Sequence, residues 1–465
     1  MLYEIFNDFG HKMGLSPDQV RAAAGLQISL VLAIIFRYLF NHKRVSPFTR
    51  HWLSFLWGVG LLFFCFKRET FHMLFSSFIV YIVIKFSKES VVHWLTLSSS
   101  MMYLSAIHIN RMYYESGYVI EISGPLMLFA IKSSYIGCSI YDGYMKNKQG
   151  KEQVMRPTLL EYLSYIFNFS SVICGPPSEY QDYCDFIEGK EFIKHKTKQN
   201  EKDPSPIIPA LSKLILGYFM IGIYGLLSAK FAPIHLGDKR WKESDLISMY
   251  MFAEMSLFLT KIKYYGAFFS GEAVNNVAGL GFRGYDDNGK PCWDMLTPAH
   301  PIRLELAKNI TEMVASWNIL TARWLKKCIY NRISYHPTLF TWFFSALWHG
   351  FYPGYYFFFI PMCIGLYIGR KLRRRVRPYI CKFTKLNLLY DILTWFLSRV
   401  LLTFYSAAFT MMDFEATLRF WRFLFYIGHL LLAAGILLVI ILPEASNSES
   451  KLKEHIELNG SSKKD

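Results

Sequence analysis

Residues 22–40 read AAAGLQISLVLAIIFRYLF, and this stretch decides the fold class. It follows Ser16-Pro17-Asp18-Gln19, a capping box with proline at the first helical position, so we predict that a helix begins there. At about 1.5 Å per residue, such a helix is long enough to cross the ~30 Å hydrocarbon core of a bilayer. The stretch therefore predicts a membrane-spanning helix near the start of the chain.

Similar apolar blocks recur along the chain. The block at 337–369 is too long for one span and is interrupted at Gly350 and at Pro353-Gly354, so it predicts two helices. Backbone inside lipid must satisfy its own hydrogen bonds, and helices do so. We therefore predict an all-α polytopic membrane protein with about 11 transmembrane helices. The further blocks lie at 53–66, 71–86, 91–109, 118–141, 158–174, 207–231, 247–269, 388–412 and 421–442.

Composition and charge agree with this fold class. Of 465 residues, 52% are hydrophobic and 18% are charged, whereas soluble domains carry about 25% charged residues. A soluble multidomain enzyme is thereby excluded. The formal net charge of +16 is typical of Lys and Arg in cytoplasmic loops facing anionic headgroups, so we expect no nucleic-acid partner. The eight cysteines form no CxxC pair and no cluster with metal-ligand spacing, so we expect no disulfide framework and no metal site.

Ionisable residues inside apolar blocks are costly in lipid, so each is a functional candidate. Most are expected to be hydrogen-bonded within the helix bundle. Lys132 and Arg399 are expected to snorkel to the membrane surface or to pair with a buried carboxylate. The candidates are His93, His108, Lys132, Glu161, Glu254, Lys261, Lys263, His349, Asp391, Arg399 and His429.

His349 stands out because of its neighbours. It ends the segment PTLFTWFFSALWHG (337–350), in which Ser345 and Ala346 lie one helical turn earlier on its face. That small, slightly polar face leaves space for a substrate beside the imidazole, and Trp348 would form a wall. A packed histidine bonded to a backbone carbonyl explains the same residues equally well.

Asn318 is a second candidate, within SWNILT (316–321), where Thr321 is predicted to share its helical face. An amide at membrane depth needs partners and can both donate and accept hydrogen bonds. Upstream, the stretch NNVAGLGF (275–282) is predicted to be irregular backbone that lines a cavity. A polar turn at 287–291 is predicted to precede Trp293 and Asp294.

These residue types suit direct proton abstraction. There is no Walker loop, HExxH or GxSxG motif, and no convincing carboxylate pair. Imidazole titrates near neutrality and is the commonest general base. If an activated acyl donor and an alcohol were held together, His349 would take the hydroxyl proton as the oxygen attacks the carbonyl, with no covalent acyl-enzyme.

Four blocks resemble the membrane-bound O-acyltransferases (MBOAT), most closely their lysophospholipid acyltransferase branch. They are PTLLEYLSYIFNFSSVICGP (157–176), KIKYYGAFFSGEAVNNVAGLGF (261–282), CWDML (292–296) with SWNILTARWLKKCIYNR (316–332), and SALWHGFYPGYY (345–356). Ile262 and Phe268 replace a Pro and a Trp that are frequent in the family, and both keep the position apolar. The segment EMVASWN (312–318) departs from the signature of the steryl and diacylglycerol branch, which is therefore disfavoured.

The resemblance implies the MBOAT fold, with its helices around a central reaction chamber. It also implies that His349 is the active-site histidine and that Asn318 is the second residue at the reaction centre. Residues 1–150 are then an amphipathic helix and transmembrane helices, 151–443 the catalytic core, and 444–465 a polar disordered tail. The residues expected to line or brace the chamber are Trp293, Asp294, Asn275, Asn276, Trp317, Thr321, Ser345, Trp348 and Tyr355.

The reaction implied by the resemblance moves a fatty acyl chain from acyl-CoA to the free sn-2 hydroxyl of a lysophospholipid, as in phospholipid remodelling. Acyl-CoA would be a co-substrate, and no further cofactor is expected. The lysolipid would be of the phosphatidylethanolamine, phosphatidylserine or phosphatidylcholine type. The alternatives are acylation of a protein or peptide, and a non-enzymatic lipid transporter of the same fold. We expect a multi-pass protein of the endoplasmic reticulum membrane, with a homodimer left open.

Overall fold

The structure is a computed structural model that describes residues 17–114, 121–149, 156–194, 203–238, 241, 245–380 and 384–443. The predicted N-terminal amphipathic helix and the polar tail lie outside these residues. The first half of the chain forms α1 Pro17–Tyr38, α2 Pro47–Phe66, α3 Thr70–Phe86, α4 Val92–Tyr114, α5 Ser123–Asn147, α6 Leu159–Ile166, α7 Tyr180–Glu188, α8 Lys190–Lys194, α9 Ile207–Leu227 and α10 Leu246–Ala278.

The second half begins with a short antiparallel hairpin that pairs Gly284 with Cys292 around the predicted polar turn. It otherwise consists of helices, so the all-α prediction is confirmed. The elements are β1 Gly284–Tyr285, β2 Pro291–Cys292, α11 Pro301–Glu305, α12 Ile310–Ser316, α13 Ile319–Cys328, α14 Pro337–His349, α15 Pro353–Ile380, α16 Thr384–Met411, α17 Phe414–Phe423 and α18 Ile427–Ile441.

Several helices are long and apolar enough to cross a membrane. By length and composition, the described residues contain four such stretches, or five if the pair α17 and α18, bent by 70°, counts as one. Longer helices such as α5 and α10 also carry buried charged residues, including Lys132 and Glu272. The total of about 11 spans stays a prediction. The four stretches are 17–38, 47–86, 207–227 and 386–411.

The predicted break in the block at 337–369 is confirmed. Helix α14 ends at His349, and α15 begins at Pro353. Gly350 closes α14 with φ 125° and ψ −162°, and its N–H donates to the carbonyl oxygens of Ala346 and Leu347. Because this backbone conformation is open essentially to glycine alone, the chain can turn sharply here and leave His349 as the last residue of its helix.

The block at 158–174 does not form a span. A capping box of Thr158 and Glu161 starts α6, but the helix ends at Ile166. At this end of α6, Lys132 of α5 is fully buried and donates to the carbonyl oxygens of Tyr165 and Ile166 at 3.1 and 3.3 Å. Lys132 is therefore neither a snorkelling residue nor the partner of a carboxylate. It satisfies the last carbonyls of a helix that stops inside the protein.

Of the two alternatives for Arg399, the structure shows pairing with carboxylates, and both of these are half-buried. Arg399 is bonded to Glu254 of α10 and lies 2.6 Å from Glu305 of α11. Glu305 also accepts from Lys261 at 2.7 Å, so four alternating charges join α10, α11 and α16. Removing one member would leave a charge unpaired in a low-dielectric interior, which is why such a network holds these helices in one arrangement.

Two hydrophobic clusters flank the region of interest. One is built mainly from α1–α7 and includes Trp324 of α13 together with Phe344 and Trp348 of α14. The other is built mainly from α15–α18 and includes Phe404 and Trp421. Helix α15 follows α14 directly and packs in the second cluster, so His349 lies at the junction of the two.

Candidate active site

His349 lies at the end of α14 among aromatic rings. Its imidazole is stacked on Phe359 with centroids 5.2 Å apart, meets Phe409 edge-on at 5.2 Å, and lies 5.7 Å from Tyr355. Neither ring nitrogen bonds to another residue in the part of the chain that the structure describes. The imidazole is thus oriented by packing alone, and its nitrogens are left for a ligand.

The alternative for His349 was a packed histidine bonded to a backbone carbonyl. The residue that fits this description is His108. The Nε2 atom of this α4 residue lies 3.2 Å from the carbonyl oxygen of Trp348, and its side chain is buried. Trp348 itself donates from Nε1 to the carbonyl oxygen of Met127 at 3.1 Å. These two contacts fix the last turn of α14 against α4 and α5, and so they position His349. Only the helix packing reveals the role of His108.

Asn318 occupies a turn rather than a helix. It adopts a left-handed conformation, with φ 45° and ψ 50°, between the end of α12 and the start of α13 at Ile319. The prediction that it shares a helical face with Thr321 is therefore wrong. Asparagine tolerates this conformation better than most residues. Its side chain forms no hydrogen bond with any other described residue, so its amide is also left for a ligand.

The helices that carry the two candidates pack against each other. Trp324 of α13 lies 5.5 Å from Trp348 and 6.0 Å from Phe344, both of α14. Its indole N–H donates to the hydroxyl of Ser134 at 2.6 Å, which fixes α13 against α5 as well. Asn318 precedes Trp324 by six residues, about 9 Å of helix rise. The helix that follows Asn318 and the helix that ends at His349 therefore meet at this aromatic contact.

An open cavity of about 400 Å³, lined by polar and apolar side chains, lies beside the Asn318 turn. Two backbone hydrogen bonds join its wall to that turn, from His300 N to Ser316 O at 2.9 Å and from Ile319 N to Pro298 O at 2.8 Å. Its lining includes Arg283, Asp294, Thr297, His300, Ile319 and Arg323.

The charges of this cavity are partly paired. Arg283 donates to both carboxylate oxygens of Asp294, at 2.7 and 3.1 Å, and both side chains are exposed. Arg323 of α13 is exposed and also lines the cavity. Burial, followed by the charges of Arg303 and Lys213, lowers the pKa of His300, so its imidazole is neutral at physiological pH.

The paired asparagines brace the interior, and the helix does not break at them. Helix α10 continues to Ala278, so the irregular backbone predicted from residue 275 begins only at Gly279, where φ is 112°. Asn275 donates to the carbonyl oxygen of Ser170 at 2.9 Å and accepts from its hydroxyl at 2.8 Å. Asn276 is buried against Gly281, and neither atom of its amide has a partner among the described residues.

The other predicted chamber residues lie in three places. Trp317 packs on Tyr265 of α10 at 5.5 Å, and Thr321 is buried one turn into α13. Trp293 instead lies in an aromatic group with Phe282, at 5.3 Å. Ser345, Trp348 and Tyr355 lie with His349, whereas no described contact joins Trp293, Asn275 or Asn276 to it.

No group of three or more His, Cys, Asp or Glu side chains in the described ranges is arranged to hold a metal ion. The seven cysteines within those ranges are free thiols.

Comparison with known proteins identifies the family of the chain. A profile of the membrane-bound O-acyltransferase family matches residues 69–412. The chain is similar to the human protein named membrane-bound glycerophospholipid O-acyltransferase 2, with 31% identity over 96% of this chain and 89% of the relative. It is also similar to the human membrane-bound glycerophospholipid O-acyltransferase 1, with 31% identity over 93% and 90%, and to the lysophospholipid acyltransferase of Schizosaccharomyces pombe, with 25% over 98% and 92%.

Proposed function

The chain belongs to the membrane-bound O-acyltransferase family, and from that premise we propose that it transfers a fatty acyl group from acyl-CoA to the free hydroxyl of a lysophospholipid. It is an acyltransferase and a multi-pass membrane protein. The substrate assignment is supported by relatives whose names describe glycerophospholipid or lysophospholipid acyl transfer and which match nearly the whole chain.

One observation carries the assignment of the reaction centre. Two polar side chains, His349 and Asn318, form no hydrogen bond with another described residue, although the helices that carry them are fixed by hydrogen bonds from Trp324 and Trp348. Both are held by the contact between Trp324 and Trp348. A polar group kept unpaired inside a protein is costly, so the arrangement favours a ligand that completes it.

The chemistry follows from these two groups. A nitrogen of His349 takes the proton of the lysolipid hydroxyl as its oxygen attacks the thioester carbonyl carbon. The new ester bond forms, the carbon–sulfur bond breaks, and the imidazolium returns the proton to the departing CoA thiolate. The amide of Asn318 donates to the carbonyl oxygen as negative charge develops on it. General-base catalysis accelerates such a reaction by roughly 10²–10⁴-fold. One hydrogen-bond donor to the developing oxyanion accelerates it by about 10²–10³-fold.

The aromatic rings around His349 suit transfer of the acyl group to an alcohol rather than to water. Phe359 and Phe409 cover two sides of the imidazole, and Tyr355 covers a third. Rings at these distances leave little room for bulk water at the base. An acyl donor and a hydroxyl that enter together would react there before hydrolysis competes.

The test uses membranes that contain the full chain, labelled acyl-CoA and a lysophospholipid, without added peptide. We expect a labelled diacyl phospholipid, and we expect Asn318→Ala to lower its rate of formation by about 10²–10³-fold. His72→Ala is the control, because His72 is exposed on α3 and, among the described residues, its side chain bonds to Tyr103.

Two results would redirect the proposal. Label that passes to a peptide but never to lysolipid would indicate a protein acyltransferase, and lipid movement across the membrane without any acyl product would indicate a transporter. The proposal also places the chain in the endoplasmic reticulum membrane. Imaging of the tagged chain beside an organelle marker tests that placement.

A further inference from the structure

Glu272 of α10 is a buried carboxylate that the proposed reaction does not use. Its side chain is 1% exposed, and an ionised carboxylate is costly inside a protein unless it is paired and hydrogen-bonded. One carboxylate oxygen lies 2.9 Å from Nζ of Lys213 on α9. The other accepts from the hydroxyl of Thr297 at 2.5 Å. Glu272 therefore joins α9 and α10 to the segment that follows β2.

The position of Glu272 is fixed by the packing of α10. A Cβ atom at the preceding Gly271 would lie 2.6 Å from the carbonyl oxygen of Gly175, so the helix lies directly against that backbone. One turn after Glu272, the amide of Asn275 donates to the carbonyl oxygen of Ser170 and accepts from its hydroxyl. The helix cannot shift along this backbone without breaking these contacts. Glu272 therefore presents its carboxylate at one place.

Thr297 connects this carboxylate to the turn at Asn318. The residues that follow it, 298–300, form one backbone hydrogen bond on each side of Asn318. Asn318 itself has the left-handed conformation, which a residue other than glycine keeps only where its surroundings hold it. The contact between Thr297 and Glu272 therefore supports the backbone that holds the Asn318 turn. The two bonds run from Ile319 N to Pro298 O at 2.8 Å and from His300 N to Ser316 O at 2.9 Å.

The contact between Glu272 and Thr297 suits a positioning role better than a contribution to stability. A buried ion pair often adds no stability over apolar side chains of similar volume, so stability alone gives little reason for a carboxylate here. A hydrogen bond to a charged acceptor is short and directional, and it fixes the two groups that it joins. The proposed reaction requires such accuracy, because an oxyanion donor must lie within about 2.7–3.1 Å of its target and a shift of about 1 Å costs ~10²-fold in rate.

We propose that Glu272 and Thr297 are positioning residues for acyl transfer. Through segment 298–300 they hold the Asn318 turn so that its amide meets the thioester carbonyl oxygen as negative charge develops there. Neither residue touches the reacting atoms, and their effect on the rate passes through Asn318. This inference rests on the proposed lysophospholipid acyl transfer, to which it adds two residues.

The first experiment compares kcat and KM of the full chain, purified in detergent, for the wild type and Thr297→Val. Valine keeps the branched shape but removes the hydroxyl that Glu272 holds. We expect kcat to fall by about tenfold to a hundredfold because the Asn318 amide is displaced, and the KM for acyl-CoA to stay within about twofold. Thr394→Val is the matched control, since that hydroxyl donates to carbonyl oxygens within its own helix, α16. It should leave both constants unchanged.

A double variant shows whether Thr297 acts through Asn318. If it does, Thr297→Val should lower kcat by less than about twofold when it is introduced into Asn318→Ala, because the amide that it positions is already absent. A loss of packing alone would lower the kcat of the wild type and of Asn318→Ala by the same factor. That equal loss would overturn the inference.

Variants of Glu272 test the other side of the contact. Glu272→Gln retains an oxygen that accepts from Thr297, and the side chain of Lys213, 28% exposed, can reach water once its partner is neutral. We expect this variant to keep kcat within about fivefold of the wild type. Glu272→Leu removes the acceptor and should lower kcat as Thr297→Val does. These two variants keep the inference testable if Thr297→Val is poorly produced.

The results separate the two possible failures. Absence of any acylated lysolipid from wild-type reactions would remove the proposed function itself. Wild-type activity, together with kcat values of Thr297→Val and Glu272→Leu within about twofold of it, would overturn only the positioning role. A Glu272→Gln variant as slow as Glu272→Leu would also overturn that role, because the hydrogen bond to Thr297 would then not be what sets the rate.

Discussion

Replacing Gly350 by alanine should lower both stability and turnover. The φ of 125° and ψ of −162° at Gly350 lie in a region that is essentially restricted to glycine, and such strain costs about 1–3 kcal/mol. A Cβ atom there would lie 3.3 Å from Cγ of His108 and 3.4 Å from Cε2 of Tyr355. These neighbours hold the end of α14, so relieving the close contacts must move that end.

The size of the losses in stability and in turnover can be worked out from the backbone strain and the close contacts at Gly350. Backbone strain and tight contacts predict a loss of about 2–3 kcal/mol in the free energy of unfolding. His349 is the residue immediately before Gly350, and a misplacement of about 1 Å can cost ~10²-fold in rate. We therefore expect kcat to fall by roughly tenfold to a hundredfold, with a smaller change in KM.

The assay compares purified variants in detergent by thermal unfolding and by initial rates of acyl transfer. Gly60→Ala is the control, because Gly60 is exposed within α2 and an added Cβ there meets nothing within 4 Å. That variant should keep its kcat and unfold at the same or a slightly higher temperature. If Gly350→Ala matched Gly60→Ala in both measurements, the role given to the Gly350 turn would be refuted.

Three further predictions concern stability, measured by thermal unfolding in detergent. Lys132→Met should cost about 2–4 kcal/mol, because the last carbonyls of α6 lose their charged donor, and an unchanged unfolding temperature would contradict this. Arg399→Met should cost about 3–5 kcal/mol because Glu254 loses its cation and Glu305 keeps one of its two, Lys261, whereas Arg399→Lys should cost less. Burial and the charge of Glu179 raise the pKa of Asp182 to about 6, so its contribution to stability is lost as pH rises from about 4 through 6. Asp182→Asn should therefore stabilise more at pH 7.5 than at pH 4.5, and equal gains would count against it.

Helix ends could be predicted from the sequence wherever the residues that cause them lie in the same stretch of chain. The break between α14 and α15 follows from Gly350 and Pro353, because glycine and proline restrict backbone conformation whatever surrounds them. The polar turn at 287–291 likewise appeared as a hairpin. The end of α6 was not predictable, since an apolar run does not reveal that Lys132, far away in sequence, satisfies the carbonyls where the helix stops.

The sequence was enough to name candidate site residues, but it did not predict how they are arranged. The sequence singles out His349 and Asn318, yet it predicts a helix at Asn318, where the structure has a turn. A residue other than glycine in the left-handed conformation is hard to predict from the sequence. His108 was one buried histidine among several until the packing placed it on the carbonyl of Trp348. The cavity beside Asn318 involves residues 283 and 323, and no sequence period connects them.

The central claim is that His349 acts as the base for acyl transfer at a centre shared with Asn318. The most direct measurement is the kcat of purified His349→Ala with acyl-CoA and a saturating lysophospholipid, beside the Kd for acyl-CoA of the same preparation. For His349→Ala we predict a fall in kcat of about 10³-fold or more, with a Kd for acyl-CoA close to that of the wild type. A kcat within tenfold of the wild type, in a variant that still binds acyl-CoA, would contradict it.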